Sequence, residues 1–474
     1  MAVSIEEAVK VVPTPRQLAW QEMEFYAFIH FGINTFTGRE WGDGNEDPKI
    51  FHPTDYHPAQ WVETCRLAGM TGIILTCKHH DGFCLWPSAY TDHSVKSSTW
   101  QDGKGDVVRD LAEACRAQGL KFGVYLSPWD RHEPTYGDSP AYNAYFQNQL
   151  RELLTNYGEI FCVWFDGACG EGSNGKVQQY DWETAYRLIR ELQPDAVINI
   201  CGPDVRWCGN EAGHIRESEW SVVPERMRDT EKIQEDSQKV DDGTFSQQIN
   251  AETEDLGSRS VLAEATSMIW YPAEVDVSIR PQWFYDPADN DKVKTVAELI
   301  ALYESTVGGN SALLLNVPPD KRGLIHETDA RNLRELGQWL RATYRHDLAK
   351  GASVWASHTR DASVDAGHLT DGRSDTHWCP DEGMEQAELV IDLGKETTFD
   401  RIVLKEYIQC GQRIERFQLA YQQDDVWIPL YEGTVVGYKK ICSFNKKSAR
   451  YIQLKVSESR INPTLSSFGV FCSK

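Results

Sequence analysis

The chain has 474 residues, a formal net charge of −23 and a mean hydropathy of −0.50. No run of ~18 apolar residues is present to cross a membrane, and the acidic balance excludes nucleic acid as a general partner, because phosphate binding needs clustered Lys and Arg. The length predicts two or three domains, and a neutral substrate suits the acidic surface. The 16 Trp and 19 Tyr offer rings for stacking on sugars, although most are expected in the core and interfaces.

The 12 cysteines form no CxxC pair and no zinc-type spacing. Several fall inside predicted buried strands or helices, as free thiols do, which points to a reducing compartment and a cytoplasmic location. The first ten residues carry Glu6 and Glu7 and lack the apolar segment of a signal peptide. A secreted or periplasmic location is expected only if a signal has been removed.

In chain order, residues 25–36 read as a strand entering a loop, with His30 and Asn34 as polar residues at its end. Residues 59–69 have helical spacing and a glycine stop. The strand 72–76 ends in Cys77-Lys78-His79-His80-Asp81-Gly82-Phe83. Asp106 caps a helix running to 118, and the strand 121–126 ends in Ser127-Pro128-Trp129-Asp130. A helix over 140–157 follows, then an apolar strand that stops on Asp166-Gly167. A helix at 182–192 and a strand at 196–201 lead into a loop that ends Gly209-Asn210-Glu211. Residues 224–260 are charged and aperiodic and read as a long insertion. A strand is expected at 261–271, a helix at 293–307, a last strand at 311–317 and a helix at 328–344.

Repeated strand–helix alternation argues for a parallel sheet with helical crossovers. Strands that end in polar clusters favour a barrel over an open doubly wound sheet, which lacks its GxGxxG support here. After residue 350 the pattern becomes short alternating segments, among them 387–393, 401–406, 417–421 and 451–456. The fold class expected is α/β: a (β/α)8-like, TIM-type catalytic barrel over 1–346, followed by an all-β jelly-roll sandwich over 347–474.

In a parallel barrel, carboxylates that do chemistry sit at the carboxyl ends of strands. Asp166 holds such a position, although Asp-Gly also starts turns. Glu211 lies in the loop after the next strand. Two carboxylates converging from neighbouring strands are what glycoside cleavage requires. His30, His79 and His80 add directional hydrogen bonds from two other strand ends, and Trp41, Trp129 and Trp283 are candidates to wall a pocket. Glu264, inside a predicted apolar strand, is a rival acid, because a buried carboxylate needs a reason. Glu217 and Glu219 are weaker rivals. Adjacent histidines on an extended segment point to opposite faces, so one metal rarely takes both. No HExxH or His-x-His run is present, and no cofactor is expected.

Four segments together carry a resemblance: His30-Phe31-Gly32, Lys78-His79-His80-Asp81-Gly82-Phe83, Val163-Trp164-Phe165-Asp166-Gly167 and Leu313-Leu314-Leu315-Asn316-Val317. In order, over about residues 14–345, they are similar to the α-L-fucosidases of glycoside hydrolase family 29. The resemblance implies a retaining double displacement with an aspartate nucleophile at Asp166. It implies fucose contacts from His30, Glu40, Trp41, His79, His80 and Tyr125, with Arg206 and Trp283 as further carry-overs. The segment Arg206-Trp207-Cys208-Gly209-Asn210-Glu211 resembles the branch acting on α-1,3/1,4-fucosides of branched glycans, which assigns Glu211 as acid/base. The residues themselves leave Glu264 open for that role. They also leave open broad specificity, a sugar-binding protein on an inactive barrel, and a metal-dependent hydrolase. The C-terminal module resembles a discoidin-like, galactose-binding jelly roll. The expected partner is a fucosylated oligosaccharide or glycoconjugate.

Overall fold

The computed structural model describes residues 4–172, 174–236 and 255–474. Eight parallel strands form one sheet: β1 (Phe25–Ile29), β2 (Gly72–Lys78), β3 (Lys121–Leu126), β4 (Cys162–Phe165), β5 (Val197–Ile200), β6 (Arg206–Trp207), and, after the antiparallel pair β7 (Val222–Pro224) and β8 (Met268–Trp270), β9 (Ala273–Ser278) and β10 (Ser311–Asn316). Their order is β5-β4-β3-β2-β1-β10-β9-β6. The two ends meet through a single parallel bridge, Asn199 to Val205, so the sheet is a nearly closed barrel.

Helices cross over on the outside. Pro58–Ala68 lies between β1 and β2, Val107–Gln118 between β2 and β3, Ser139–Asn156 between β3 and β4, Trp182–Leu192 between β4 and β5, and Val296–Thr306 between β9 and β10. Their ends follow local chemistry. Asp106 accepts the Arg109 N–H, and Thr295 with Glu298 closes a capping box. Gly69 (φ 94°) ends the first crossover helix in the left-handed conformation, with its N–H on Arg66 and Cys65 carbonyls.

Strand alternation divides the core in two. Phe25, Ala27, Ile29, Ile73, Leu75, Val275 and Val277 point outward to the helices. Tyr26, Phe28, Ile74, Tyr125, Trp164, Val197 and Leu314 fill the barrel interior. Glu274 is also inside, fully buried, and accepts from the Tyr26 hydroxyl, from Trp164 Nε1 at 2.7 Å and from Asn199 Nδ2 at 2.7 Å.

The structure corrects three expectations. Residues 261–271 are not a barrel strand: the helix Arg259–Ala263 precedes β8, which pairs antiparallel with β7 outside the barrel. The barrel strand is β9, whose acidic inward positions hid it from an apolar-run rule. Glu264 closes that helix and is exposed, so no buried acid exists there. Arg206–Trp207 is a strand, not loop, and follows β5 with no helix between. Of the expected 224–260 insertion, 237–254 lie outside the described residues, and its flanks contain the helical segments Glu225–Arg228, Thr230–Asp236 and the start of Arg259–Ala263.

After the helix Glu327–Tyr344 comes an antiparallel sheet of β11 (Ser353–Ala356), β12 (Ala387–Lys405), β13 (Ile414–Gln423), β14 (Val426–Gly433), β15 (Lys440–Ser459) and β16 (Ser467–Phe471). Its order is β11-β12-β15-β13-β14. The strand β12 pairs β11 along its first half and β16 along its second. Leu389, Ile391, Phe417, Leu454 and Phe468 form its separate core. Polar ties join this sheet to the barrel. Glu24 receives Lys405 at 3.2 Å and Lys439 at 2.6 Å, and Gln412 accepts the Ser221 N–H at 2.8 Å. All 12 cysteines are free thiols, and all but Cys169, Cys410 and Cys472 are buried.

Candidate active site

The carboxyl ends of the barrel strands surround a cavity of about 580 Å³, counting its open mouth. Asp166, the residue after β4, and Glu211, in the loop after β6, both line it, with His30, Trp41, His79, His80 and Trp283. Phe28, Trp164, Ile200 and Trp207 add an apolar wall. Ile200 has φ 65° at the end of β5. A β-branched residue rarely adopts that conformation, and such strain concentrates at functional sites.

Asp166 is held from two sides. Tyr125 Oη donates to Oδ2 at 2.9 Å, and the Ala168 N–H donates to Oδ1 at 2.7 Å. Tyr125 stands beneath the pocket, with its ring stacked on those of His79 and Trp164. Burial raises the Asp166 pKa to about 6, against the opposing pull of these donors.

The histidines are oriented by their far nitrogens. Ser127 Oγ donates to the Trp129 carbonyl at 2.6 Å, so it receives Nδ1–H of His80 at 2.7 Å. That tautomer leaves His80 Nε2 as an acceptor, 3.8 Å from Asp166 Oδ2. Asn316 Oδ1 lies 2.9 Å from His30 Nδ1, and Asn316 Nδ2 donates to Ser278 Oγ and the Trp283 carbonyl. His79 Nδ1 is buried with no protein partner. Burial lowers all three imidazoles, His30 and His80 to about 3. They are therefore neutral near pH 7, able both to donate and to accept hydroxyl hydrogen bonds. His79, His80 and Asp166 bring one potential ligand atom each within 4.8 Å of one another.

Glu211 accepts from Trp283 Nε1 at 3.1 Å. Burial, opposed by that bond and reinforced by the charges of Asp166 and Glu40, raises its pKa to about 8. The carboxylate of Glu40 accepts the backbone N–H groups of Trp283 at 2.9 Å and Phe284 at 3.0 Å. It thereby fixes the loop that carries the indole. Trp41 meets His80 edge-on at 5.2 Å between ring centroids, and Trp129 lies behind both.

Arg206 lies outside the pocket. Its Nε donates to the Tyr271 carbonyl, and its guanidinium pairs with Glu219. The strand alternation of β6 turns Trp207 to the pocket in its place. Glu219 is thereby committed to an ion pair, and Glu217 is exposed. Asp276 of β9 also lines the cavity, accepting from Trp207 Nε1 at 2.7 Å. Sequence reasoning missed it with its strand, although Ala273-Glu274-Val275-Asp276-Val277-Ser278 alternates with period two.

A pocket lined by a raised acid, a second ionisable carboxylate and neutral imidazoles is suited to cleaving a glycosidic bond. The comparisons with known proteins agree. Residues 7–344 match the α-L-fucosidase family model, and residues 353–467 match the F5/8 type C domain. The chain is 40% identical over 473 residues to α-L-fucosidase 1 of Arabidopsis thaliana, covering 98% of this chain and 88% of that protein. A Ruminococcus gnavus GH29 fucosidase in complex with fucose superposes with a TM-score of 0.85 at 33% identity, covering 98% of this chain and 95% of that one. A glycoside hydrolase 29 family member from an unknown rumen bacterium gives 0.80 at 40% identity, covering 98% and 78%. The chain belongs to the α-L-fucosidase family, glycoside hydrolase family 29, with an F5/8 type C domain following its barrel.

Proposed function

We propose that this α-L-fucosidase is a retaining enzyme that removes terminal α-1,3/1,4-linked L-fucose from branched oligosaccharides. The observation that carries the mechanism is that Asp166 and Glu211 line one cavity with their pKa values pushed apart, to about 6 and about 8. Carboxyl groups so separated divide the roles of nucleophile and acid.

In this reading Asp166 attacks the anomeric carbon. The bonding pair of the glycosidic C–O bond leaves with the oxygen, which takes the proton of Glu211. Water then enters, Glu211 removes its proton, and Asp166 departs as carboxylate. The neutral His30, His79 and His80 hold sugar hydroxyls, with Trp41 above them and Tyr125 orienting the nucleophile. Fucose has a methyl group where other hexoses carry a 6-hydroxyl. The apolar wall of Phe28, Trp164, Ile200 and Trp207 suits it. Arg206 is reassigned as a support of β6.

The linkage rests on the Arg206–Glu211 segment alone and is tested by substrate choice. Fucose release is measured in parallel from a branched Lewis-type trisaccharide, an α-1,2-fucosylated trisaccharide and an aryl α-L-fucoside. Release mainly from the branched substrate is expected. Comparable release from all three leaves a broad-specificity fucosidase instead.

A further inference from the structure

The loop that carries Glu211 runs from Cys208 to Ser221 with no helix or strand of its own. Backbone of that kind needs side-chain partners. Its first half is closed locally. Asn210 Oδ1 accepts the N–H groups of Ala212 and His214 at 3.1 Å each, and Asn210 Nδ2 donates to the His214 carbonyl at 2.9 Å. Arg216 donates to the Cys208 carbonyl at 2.9 Å, and Glu219 pairs with both Arg216 and Arg206. The turn of Glu211 is thereby coupled to the returning segment 216–221.

That returning segment is gripped from the F5/8 type C domain. Thr434 Oγ1 donates to the Glu217 carbonyl at 3.0 Å. Gln412, fully buried, accepts the Ser221 N–H at 2.8 Å and donates to the Glu219 carbonyl at 3.4 Å. Asn310 Nδ2 is a second donor to that carbonyl at 2.8 Å, and Asn310 Oδ1 accepts the Tyr438 N–H at 2.7 Å. Buried Glu406 joins the two turns involved: it accepts the N–H groups of Arg413 at 2.8 Å, Ile414 at 3.0 Å and Gly437 at 2.7 Å. The ties of Lys405 and Lys439 to Glu24, before β1, and of Arg401 to Glu304, on the helix Val296–Thr306, land elsewhere on the barrel. We propose that Gln412 and Thr434 are positioning residues for the catalytic acid: through them the C-terminal domain holds the loop of Glu211 in reach of the glycosidic oxygen. A displacement of about 1 Å at such a group costs on the order of 100-fold in rate.

This role presupposes Glu211 as acid/base, and Glu211→Ala tests that premise separately. The glycosidic oxygen leaves with the bonding pair and takes the Glu211 proton, whereas fluoride leaves as the anion. Water attacking the fucosyl–Asp166 ester gives its proton to Glu211. Azide, already an anion, forms its C–N bond without a base as Asp166 departs as carboxylate. Thr434→Val, Gln412→Ala and Thr434→Ser are assayed on the branched Lewis-type trisaccharide and on α-L-fucosyl fluoride with and without sodium azide. In Thr434→Val and Gln412→Ala, kcat/KM on the trisaccharide falls about tenfold or more, while kcat/KM on the fluoride stays within about twofold. Their kcat on the fluoride falls and azide restores it, with fucosyl azide as product. Thr434→Ser, which keeps the hydroxyl, behaves as wild type. Should Gln412→Ala not fold, Thr434→Val decides. Equal losses on both substrates without azide rescue make these residues purely structural and overturn the proposal. A loss on the trisaccharide with no azide effect on the fluoride makes them contacts to the leaving sugar and overturns it too, as does wild-type behaviour throughout. If Glu211→Ala keeps trisaccharide turnover, the acid/base assignment itself fails. If Glu211→Ala loses that turnover and is rescued by azide on the fluoride while Thr434→Val is not, only the positioning role fails.

Discussion

Trp283 and Glu211 are joined by one hydrogen bond, 3.1 Å from indole Nε1 to Oε2, while the backbone N–H of the same tryptophan is held by Glu40 at 2.9 Å. One residue thus connects the loop after β9 to the carboxyl group of the loop after β6. The indole donor favours ionised Glu211 and opposes the rise that burial produces. Trp283→Phe keeps the ring and deletes the donor. Its alkaline limb in kcat/KM is expected to move up by about half a unit to one unit. An unmoved limb means the bond carries no electrostatic weight.

The same values define a pH window. Asp166 must be ionised and Glu211 protonated, so kcat/KM should be bell-shaped, with limbs near 6 and 8. The rate falls below the first because the nucleophile gains a proton, and above the second because the acid loses its own. Tyr125→Phe removes a donor to ionised Asp166, so its acidic limb should rise. The measurement is a pH–rate series for wild type and Tyr125→Phe.

Much of this site was legible in the sequence because strand ends announce themselves. Asp166, His79 and His80 follow apolar runs and stop at loops. β9 was not legible in the same way, because its inward positions carry Glu274 and Asp276 rather than apolar side chains. A strand facing a polar barrel interior alternates, and the neighbouring apolar segment 261–271 competed for the assignment. Arg206 was misplaced for a related reason. With the loop shortened to a two-residue strand, alternation exchanges Arg206 for Trp207, a distinction of one residue that composition cannot supply.

Glu24 ties the domains and has a pH signature. Burial raises its pKa, but Lys439 and Lys405 outweigh that and hold it at about 2 against an ordinary 4.5. A depressed carboxylate contributes stability that is complete above the unfolded value and is lost as pH falls through the folded one. Glu24→Gln should therefore lose about 2–3 kcal/mol at neutral pH, the pKa depression at about 1.36 kcal/mol per unit discounted for a pair that is only partly buried. The gap to wild type should close between pH 4.5 and 2. Urea unfolding at several pH values checks this, and a gap constant across that range contradicts it.

Metal removal is informative because His79, His80 and Asp166 lie close enough to invite the question. In the mechanism proposed here these groups bind hydroxyls and attack carbon. Prolonged EDTA treatment and dialysis should leave turnover within about twofold of the untreated enzyme, well short of the loss caused by removing a Lewis acid. Loss of activity restored by a divalent cation would favour the metal-dependent reading.

The central claim is that Asp166 forms a covalent bond to the sugar. A 2-deoxy-2-fluoro fucosyl fluoride slows the hydrolytic step more than the first, so the intermediate should accumulate. Intact-protein and peptide mass spectrometry then locate it. One fluorofucosyl group per chain, on the peptide containing Asp166 and absent from Asp166→Asn, is expected. A label on another carboxylate, or inactivation without any adduct, rules out covalent attack by Asp166.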